Sequence, residues 1–142
     1  MVDPLPPPLD PATLGRVLAL CVLLAGAETL HGIARIRWVV PRRGKAWALR
    51  WSALSGSVLA WALCAWQLPA LGLRGLGAHL GLGAVLAGFM AAFDIALGRW
   101  VLRRRWAAIA DDFRPASGNH LSWGLLGLVL APVALGALGG GW

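Results

Sequence analysis

Charged residues are scarce in this chain: it has 142 residues, of which 13% are Asp, Glu, Lys or Arg. Soluble globular domains carry about 25% charged and about 45–50% apolar residues, whereas 58% of this chain is hydrophobic. A small soluble fold leaves much of its surface in water and could not cover so many apolar side chains. The composition therefore excludes an ordinary soluble domain and indicates a lipid environment. The length allows one compact bundle and no separate globular domain.

Cysteines and catalytic motifs are few or missing. Cys21 and Cys64 lie singly inside apolar segments and form no metal-binding spacing, so we interpret both as small buried hydrophobes. The sequence has no phosphate-binding loop, no GxGxxG motif and no Ser/His/Asp or Cys/His arrangement. Enzymatic activity therefore has no positive support, and we predict neither a catalytic residue nor a metal site.

The N-terminal segment, residues 1–12, contains five prolines and no basic residue. A secretory signal begins with a positively charged region, so we expect the apolar segment from Leu14 onward to be a retained helix. The prolines predict an extended, mobile tail ahead of that helix.

Four apolar segments follow, at about residues 14–34, 52–68, 78–98 and 121–138. Each reaches the length of about 17–25 residues that a transmembrane helix needs. A helix satisfies its own backbone hydrogen bonds in lipid, and four spans of this length cannot form a barrel. The sequence therefore predicts an all-α integral membrane four-helix bundle, a single domain over residues 13–142.

Basic residues are concentrated in two of the gaps between these segments. Of the 13 lysines and arginines, 11 lie between the first two segments or between the last two. By the positive-inside rule, both basic loops are expected to face the cytoplasm and both termini the periplasm. We interpret the net charge of +7 as a topology signal and as contact with anionic headgroups, not as nucleic-acid binding. The densest basic residues are Arg42, Arg43 and Lys45 in the first loop and Arg103, Arg104 and Arg105 in the second.

Small residues recur at helical spacing on two of the predicted helices. Such stripes let helix backbones approach closely in lipid, so we interpret them as packing surfaces between helices. A pore-lining or oligomer face is the alternative. The stripes are Ser52, Gly56 and Ala60 on the second helix, and Ala84, Gly88, Ala92 and Ala96 on the third.

Two acidic residues, Glu28 and Asp94, lie inside apolar segments. A charge at the bilayer centre costs at least about 2.5–3.5 kcal/mol, so such residues usually face the bundle interior and have partners. Glu28, His31 and Arg35 share one helix face because they are spaced i, i+3 and i+7. Asp94 precedes Arg99 at a similar depth on the third helix. A pairing of Glu28 with Arg99, or of Asp94 with Arg35, is therefore geometrically possible.

Two interpretations of this polar cluster remain open. It is either a structural network that fixes the packing of the first and third helices, or a proton or cation site, since intramembrane acids mark ion pathways. We favour the structural network, because nearby arginines stabilise ionised carboxylates. A haem held by His31 or His120 is a third alternative, although the scattered histidines do not predict a cofactor.

The segments around the two acids resemble each other. Glu28 precedes Gly32 by four residues, as Asp94 precedes Gly98, and both segments continue into a Trp-Val pair and a basic run. This similarity suggests a duplicated two-helix hairpin, with the copies related by an axis along the membrane normal as in parallel-repeat transporters.

The stretches Ala27-Glu28-Thr29-Leu30-His31-Gly32-Ile33-Ala34-Arg35 and Asp94-Ile95-Ala96-Leu97-Gly98-Arg99 resemble small proteobacterial inner-membrane proteins of uncharacterised function. The resemblance implies four helices in a bacterial inner membrane and implies no activity. Our first hypothesis is a non-catalytic accessory or interaction subunit that contacts other membrane chains or itself. The alternatives are a small oligomeric proton- or ion-coupled transporter or channel that uses Glu28 and Asp94, and a haem- or cofactor-binding redox protein.

Overall fold

The computed structural model of the protein describes residues 10–114 and 121–139. Every regular element in these ranges is helical, which confirms the all-α prediction. Of the predicted tail, only residues 10–12 are described. The elements are α1 (Pro11–Ala34), α2 (Val40–Arg43), α3 (Lys45–Leu71), α4 (Leu76–Ala96), α5 (Trp106–Asp112) and α6 (Leu121–Leu138), with π-helical segments at Arg35–Val39 and Leu97–Val101.

Three helical stretches within the described residues are long and apolar enough to cross a membrane: Pro11–Arg43, Lys45–Leu71 and Leu76–Val101. The apolar part of α6, Ser122–Leu138, is shorter. Large apolar side chains point outward on α1, α3, α4 and α6. Val58 of α3, for example, is 62% exposed. Soluble monomers rarely expose so much contiguous apolar surface. The protein is therefore a membrane protein whose outward faces are suited to lipid.

The first basic segment is largely helical, whereas the sequence predicted a loop from residue 35 to residue 51. The helix of α1 continues through the first π-helical segment and α2 until Gly44, whose φ of 84° breaks it. Pro41 lacks a backbone N–H and its ring crowds the preceding turn, which accounts for the wider π-helical turn directly before it. Hydropathy marks only the lipid-embedded part of a helix, so it could not predict this extension.

The second basic segment also contains unpredicted helix. The helix of α4 continues through the second π-helical segment to Val101, and α5 follows after a short connection. The connection is held by a hydrogen bond from the Arg104 backbone N–H to the Gly98 carbonyl at 2.9 Å. The Ser122 hydroxyl, at the start of α6, donates to the carbonyl of Phe113. The bounds of α6 coincide with the predicted fourth segment.

The helices form two antiparallel hairpins, α1 with α3 and α4 with α6, that lie side by side. The α3 helix also packs on α6, and α1 touches α4 over a smaller area. At the end opposite the basic segments, Arg16 of α1 donates to the Ala70 carbonyl of α3 at 2.6 Å. The shared core contains both cysteines as free thiols. Its buried members are Leu20, Cys21, Leu24, Ala25, Cys64, Leu71, Leu82, Leu86, Met90, Leu128 and Ala131.

Candidate functional site

A cluster of polar side chains lies in the basic half of the α1–α3 interface. On the α1 side, Glu28, His31 and Arg35 lie on one face, as their spacing predicted. On the α3 side, this face meets Ser52 and Gly56, both of which are buried. Gly56 lies directly against Glu28, since a Cβ atom there would be 3.1 Å from Glu28 Oε2. The absence of a side chain at this position is what lets the carboxylate approach α3.

The hydrogen bonds of the cluster form a continuous chain from one helix to the other. Arg35 Nη1 donates to Ser52 Oγ at 3.2 Å, and Ser52 Oγ lies 3.4 Å from His31 Nδ1. His31 Nε2 lies 2.7 Å from Ser55 Oγ, which donates to the Trp51 carbonyl at 2.8 Å. A hydroxyl has one proton to donate, so Ser55, which donates to the Trp51 carbonyl, accepts from His31 Nε2–H in this arrangement.

The two intramembrane carboxylates are brought together. Glu28 lies within electrostatic range of Asp94, which projects from α4, and of Arg35 on its own helix. Arg99 has contacts in its own segment, since it donates to the Arg104 carbonyl at 3.4 Å and lies over the Trp106 ring at 5.4 Å. The hydrogen bonds of the cluster given above join α1 to α3, and the electrostatic interaction of Glu28 with Asp94 links the cluster to α4.

The predicted stripes of small residues have different surroundings. Gly56 is buried in the cluster, but Gly88 and Ala92 lie exposed on α4, and a Cβ at Gly88 would meet nothing within 4 Å. The glycine that α4 uses for packing is Gly83, which meets the backbone of Val129 in α6 so closely that a Cβ would collide with its carbonyl oxygen. Within residues 10–114 and 121–139, Gly88 and Ala92 thus stay exposed, and their interpretation as an oligomer face stays a prediction.

Ser55 and Gly83 were missed by sequence reasoning. Ser55 follows Ser52 by three residues, which places both hydroxyls toward the same neighbour, so this spacing was the available signal. Gly83 had no such signal, because α4 carries glycines on several faces.

Several other basic residues and His79 lie near the helix ends. Arg42 donates to the Trp38 carbonyl at 3.0 Å, and Arg43 lies over the Trp47 ring at 5.3 Å. His79 is 2% exposed between α4 and α6, and its Nδ1 lies 2.7 Å from the Gly75 carbonyl. Within the described residues, no three His, Cys, Asp or Glu side chains are grouped as metal ligands. His120 lies outside the described residues, so the haem alternative stays a prediction.

Two hollows open on the surface near the cluster. A groove of about 460 Å³ separates α1 from α4 and is lined mainly by apolar side chains, among them Leu30, Phe89 and Phe93. A smaller crevice of about 230 Å³ lies where the extension of α1 meets the start of α3. We call it the basic crevice, and its lining residues are Arg35, Ile36, Val40, Lys45 and Leu49.

Comparison with protein-family models, curated proteins and solved structures finds no match to this chain. Its function therefore has to be inferred from the residues themselves.

Proposed function

We propose that this chain is a non-catalytic membrane subunit that docks a transmembrane helix of another chain on the outer face of α4. We define this outer face by its small exposed residues, which are Gly77, Gly81, Ala84, Gly88 and Ala92. Helices associate in lipid by close backbone approach at small residues, because lipid provides no hydrophobic drive. A ridge of this kind on the outside of the bundle suits contact with a second chain.

The exposure of the glycines on the outer face carries this proposal. At Gly77, Gly81 and Gly88, a Cβ atom would meet nothing within 4 Å. At Gly83, on the opposite face of the same helix, the backbone of α6 occupies the space that a Cβ atom would need. Glycine is unfavourable in a helix interior by about 1 kcal/mol relative to alanine, so Gly81 and Gly88 weaken α4, and no described residue offers a compensating contact at their Cβ positions. A partner helix would supply that contact.

The groove between α1 and α4 provides a second support. Phe89, which lines the groove, precedes Ala92 by three residues, and residues at this spacing are neighbours on a helix surface. The groove therefore borders the outer face at Phe89. A helix lying on the outer face could place large side chains into this groove, in the way that knobs fill holes between packed helices.

We further propose that the protein crosses a bacterial inner membrane four times. Its two basic segments would then face the cytoplasm, and both termini would face the periplasm. The 18 residues of α6 would extend about 27 Å at about 1.5 Å per residue, slightly less than a typical hydrocarbon core. The uneven distribution of arginine and lysine supports this orientation.

The proposal is tested by exchanging one exposed glycine for a bulky apolar residue. The tagged full chain would be extracted gently from its native membrane as wild type, as Gly88→Leu and as Gly124→Leu. Gly124 is the matched control, because it is an exposed glycine on α6 with nothing within 4 Å of its Cβ position. We expect a stoichiometric partner with the wild type and with Gly124→Leu, and its loss with Gly88→Leu. A partner retained equally by all three, or a monomeric wild type, would contradict the proposal.

A second candidate function, cation-coupled transport, rests on the proximity of Glu28 and Asp94. Two acids held together inside a membrane are typical of proton and ion pathways. The test is ion flux into liposomes that contain the purified chain, with Asp111→Asn as a control that changes an exposed carboxylate to an amide outside the spans. This candidate requires that Glu28→Gln abolish flux while the protein stays assembled, and a wild type without flux would eliminate it.

The third alternative is a redox protein that holds a haem through His31 or His120, and its His31 version requires a change in the cluster. Both ring nitrogens of His31 are engaged by serine hydroxyls, so ligation of iron would break one of these contacts. An absorbance spectrum of the purified protein without a Soret band would eliminate a haem.

A further inference from the structure

The basic crevice combines positive charge with an aliphatic lining. Its two cations come from different helical stretches: Arg35 belongs to the π-helical segment after α1, and Lys45 is the first residue of α3. Ile36, Val40 and Leu49 form the rest of its wall. A small hollow lined by both cationic and aliphatic side chains matches a ligand that is itself amphipathic.

The crevice lies at the depth of the lipid headgroups if the chain is inserted as proposed. From Leu14, where the apolar segment begins, to Arg35 the helix rises about 32 Å at about 1.5 Å per residue. This distance is close to the hydrocarbon thickness of about 30 Å, so Arg35 falls near the boundary between acyl chains and headgroups.

Aromatic side chains in the same turns of α3 as Lys45 and Leu49 support this depth. Trp47 and Trp51 are 41% and 53% exposed, and their ring centroids lie 5.5 Å apart. Tryptophan is enriched at the level of the headgroups. The two rings therefore mark the start of α3 as interfacial.

The electrostatics of the crevice favour an anion. Arg35 donates to the Ser52 hydroxyl through Nη1. A guanidinium has five N–H donors, so it can also donate to an anion. Glu28 offsets part of its charge, since it lies within electrostatic range. Lys45 adds a second positive charge, and no side chain caps the first turn of α3, so its backbone N–H groups add to the positive potential.

We propose that the basic crevice binds the phosphate of an anionic phospholipid, with Ile36, Val40 and Leu49 contacting the glycerol backbone and the first acyl carbons of the lipid. The inference rests on the proposed membrane insertion but not on a partner for α4. Basic pockets between transmembrane helices on the cytoplasmic side are a known way to hold anionic headgroups. The site would bind anionic lipids in preference to neutral ones. A bound lipid would contact both the extension of α1 and the start of α3 and so stabilise their packing.

The test is native mass spectrometry of the full chain, purified in mild detergent and supplied with equal amounts of phosphatidylglycerol and phosphatidylcholine. The variants are Lys45→Gln and Arg50→Gln. Both remove one positive charge from an exposed residue of α3, but only Lys45 lines the crevice. Loss of one cation near an anionic surface should weaken binding about fivefold, so we expect this decrease for Lys45→Gln and little change for Arg50→Gln.

A third variant, Val40→Phe, tests the shape of the crevice without altering the charge, and it should also lower lipid retention. Inorganic phosphate distinguishes the two sources of the ligand group. Phosphatidylglycerol retained in the presence of millimolar phosphate supports the lipid. Displacement of the lipid by phosphate would show a site for free phosphate and overturn the proposal. An equal loss with Lys45→Gln and Arg50→Gln would also overturn it, because binding would then reflect the surface charge alone.

Discussion

The two hairpins of this protein follow the same path through the bundle, but their helices are joined by different chemistry. Both first helices reach the basic end through a π-helical segment, and both segments finish with Arg-Trp-Val, at residues 37–39 and 99–101. The α1–α3 hairpin is joined there by hydrogen bonds through His31 and Arg35. The α4–α6 hairpin is joined by backbone contact, with Gly83 against Val129.

Helices in lipid associate without a hydrophobic driving force, and the two hairpins do so in different ways, one by side-chain hydrogen bonds and the other by close backbone contact. Interhelical hydrogen bonds in membranes contribute about 0.6 kcal/mol on average, and they tolerate small movements because side chains can rotate. Close backbone contact depends on the absence of a single methyl group and tolerates almost no movement. The two hairpins should therefore respond differently to similar substitutions.

The largest effect is expected from Gly83→Ala in the α4–α6 hairpin. The new Cβ would collide with the backbone of Val129, which cannot move without separating the helices, and overpacking of this kind costs about 1–3 kcal/mol. We expect a lower free energy of unfolding in detergent, measured by reversible denaturation.

Gly81→Ala is the matched control for this substitution, because its Cβ position on the same helix is open. Its stability should be unchanged or higher by up to about 1 kcal/mol, since alanine is the better helix former. Equal destabilisation by Gly83→Ala and Gly81→Ala would contradict the account of the α4–α6 interface.

A smaller effect is expected from His31→Ala in the α1–α3 hairpin. The substitution removes the bridge between Ser52 and Ser55, and the loss should be about 1–2 kcal/mol for two interhelical hydrogen bonds. A double-mutant cycle of His31→Ala with Ser55→Ala measures the coupling directly. Ser57→Ala is the control, since Ser57 donates only to the Ala53 carbonyl of its own helix. A coupling energy near zero would show that the chain of hydrogen bonds does not join the helices.

Gly56→Ala should have a still smaller effect than Gly83→Ala, although both place a methyl group in a helix interface. The Cβ would lie 3.1 Å from Glu28 Oε2, and a carboxylate at the end of a flexible side chain can move by the few tenths of an ångström required. We expect a loss below about 1 kcal/mol by the same denaturation measurement. A loss as large as that of Gly83→Ala would mean that the α1–α3 interface is equally rigid.

The smallest effect is expected at the N-terminal ends of α1 and α4, where the two hairpins begin. The Thr13 hydroxyl donates to the Asp10 carboxylate ahead of α1 and lowers the pKa of Asp10, whereas α4 begins after Gly75, which has no side chain to make such a contact. A depressed pKa stabilises the folded state above the ordinary pKa of aspartate, and this contribution is lost as the pH falls through the folded value. Thr13→Val should raise the pKa of Asp10 toward its ordinary value in an NMR titration. An unchanged pKa would show that the hydrogen bond does not form.

The sequence predicted the helical class and the face that carries Glu28, His31 and Arg35, because hydropathy and helical spacing are local properties. It did not predict which helix this face meets. That depends on how the α1–α3 hairpin is aligned, and the alignment is set by the break at Gly44 and by contacts such as Arg16 with Ala70. The spacing of small residues likewise could not distinguish an inner from an outer glycine on α4, since both kinds recur along the same helix.

The docking of a partner helix on the outer face of α4 is tested most directly by photocrosslinking in native membranes. A photoreactive amino acid would replace Val85 at the border of the outer face in one variant and Leu126 of α6 in another, both of which are large, exposed side chains. We predict a crosslinked product of one discrete mass from position 85 and none from position 126. No product from position 85, or the same products from both positions, would show that the outer face of α4 is covered by lipid alone.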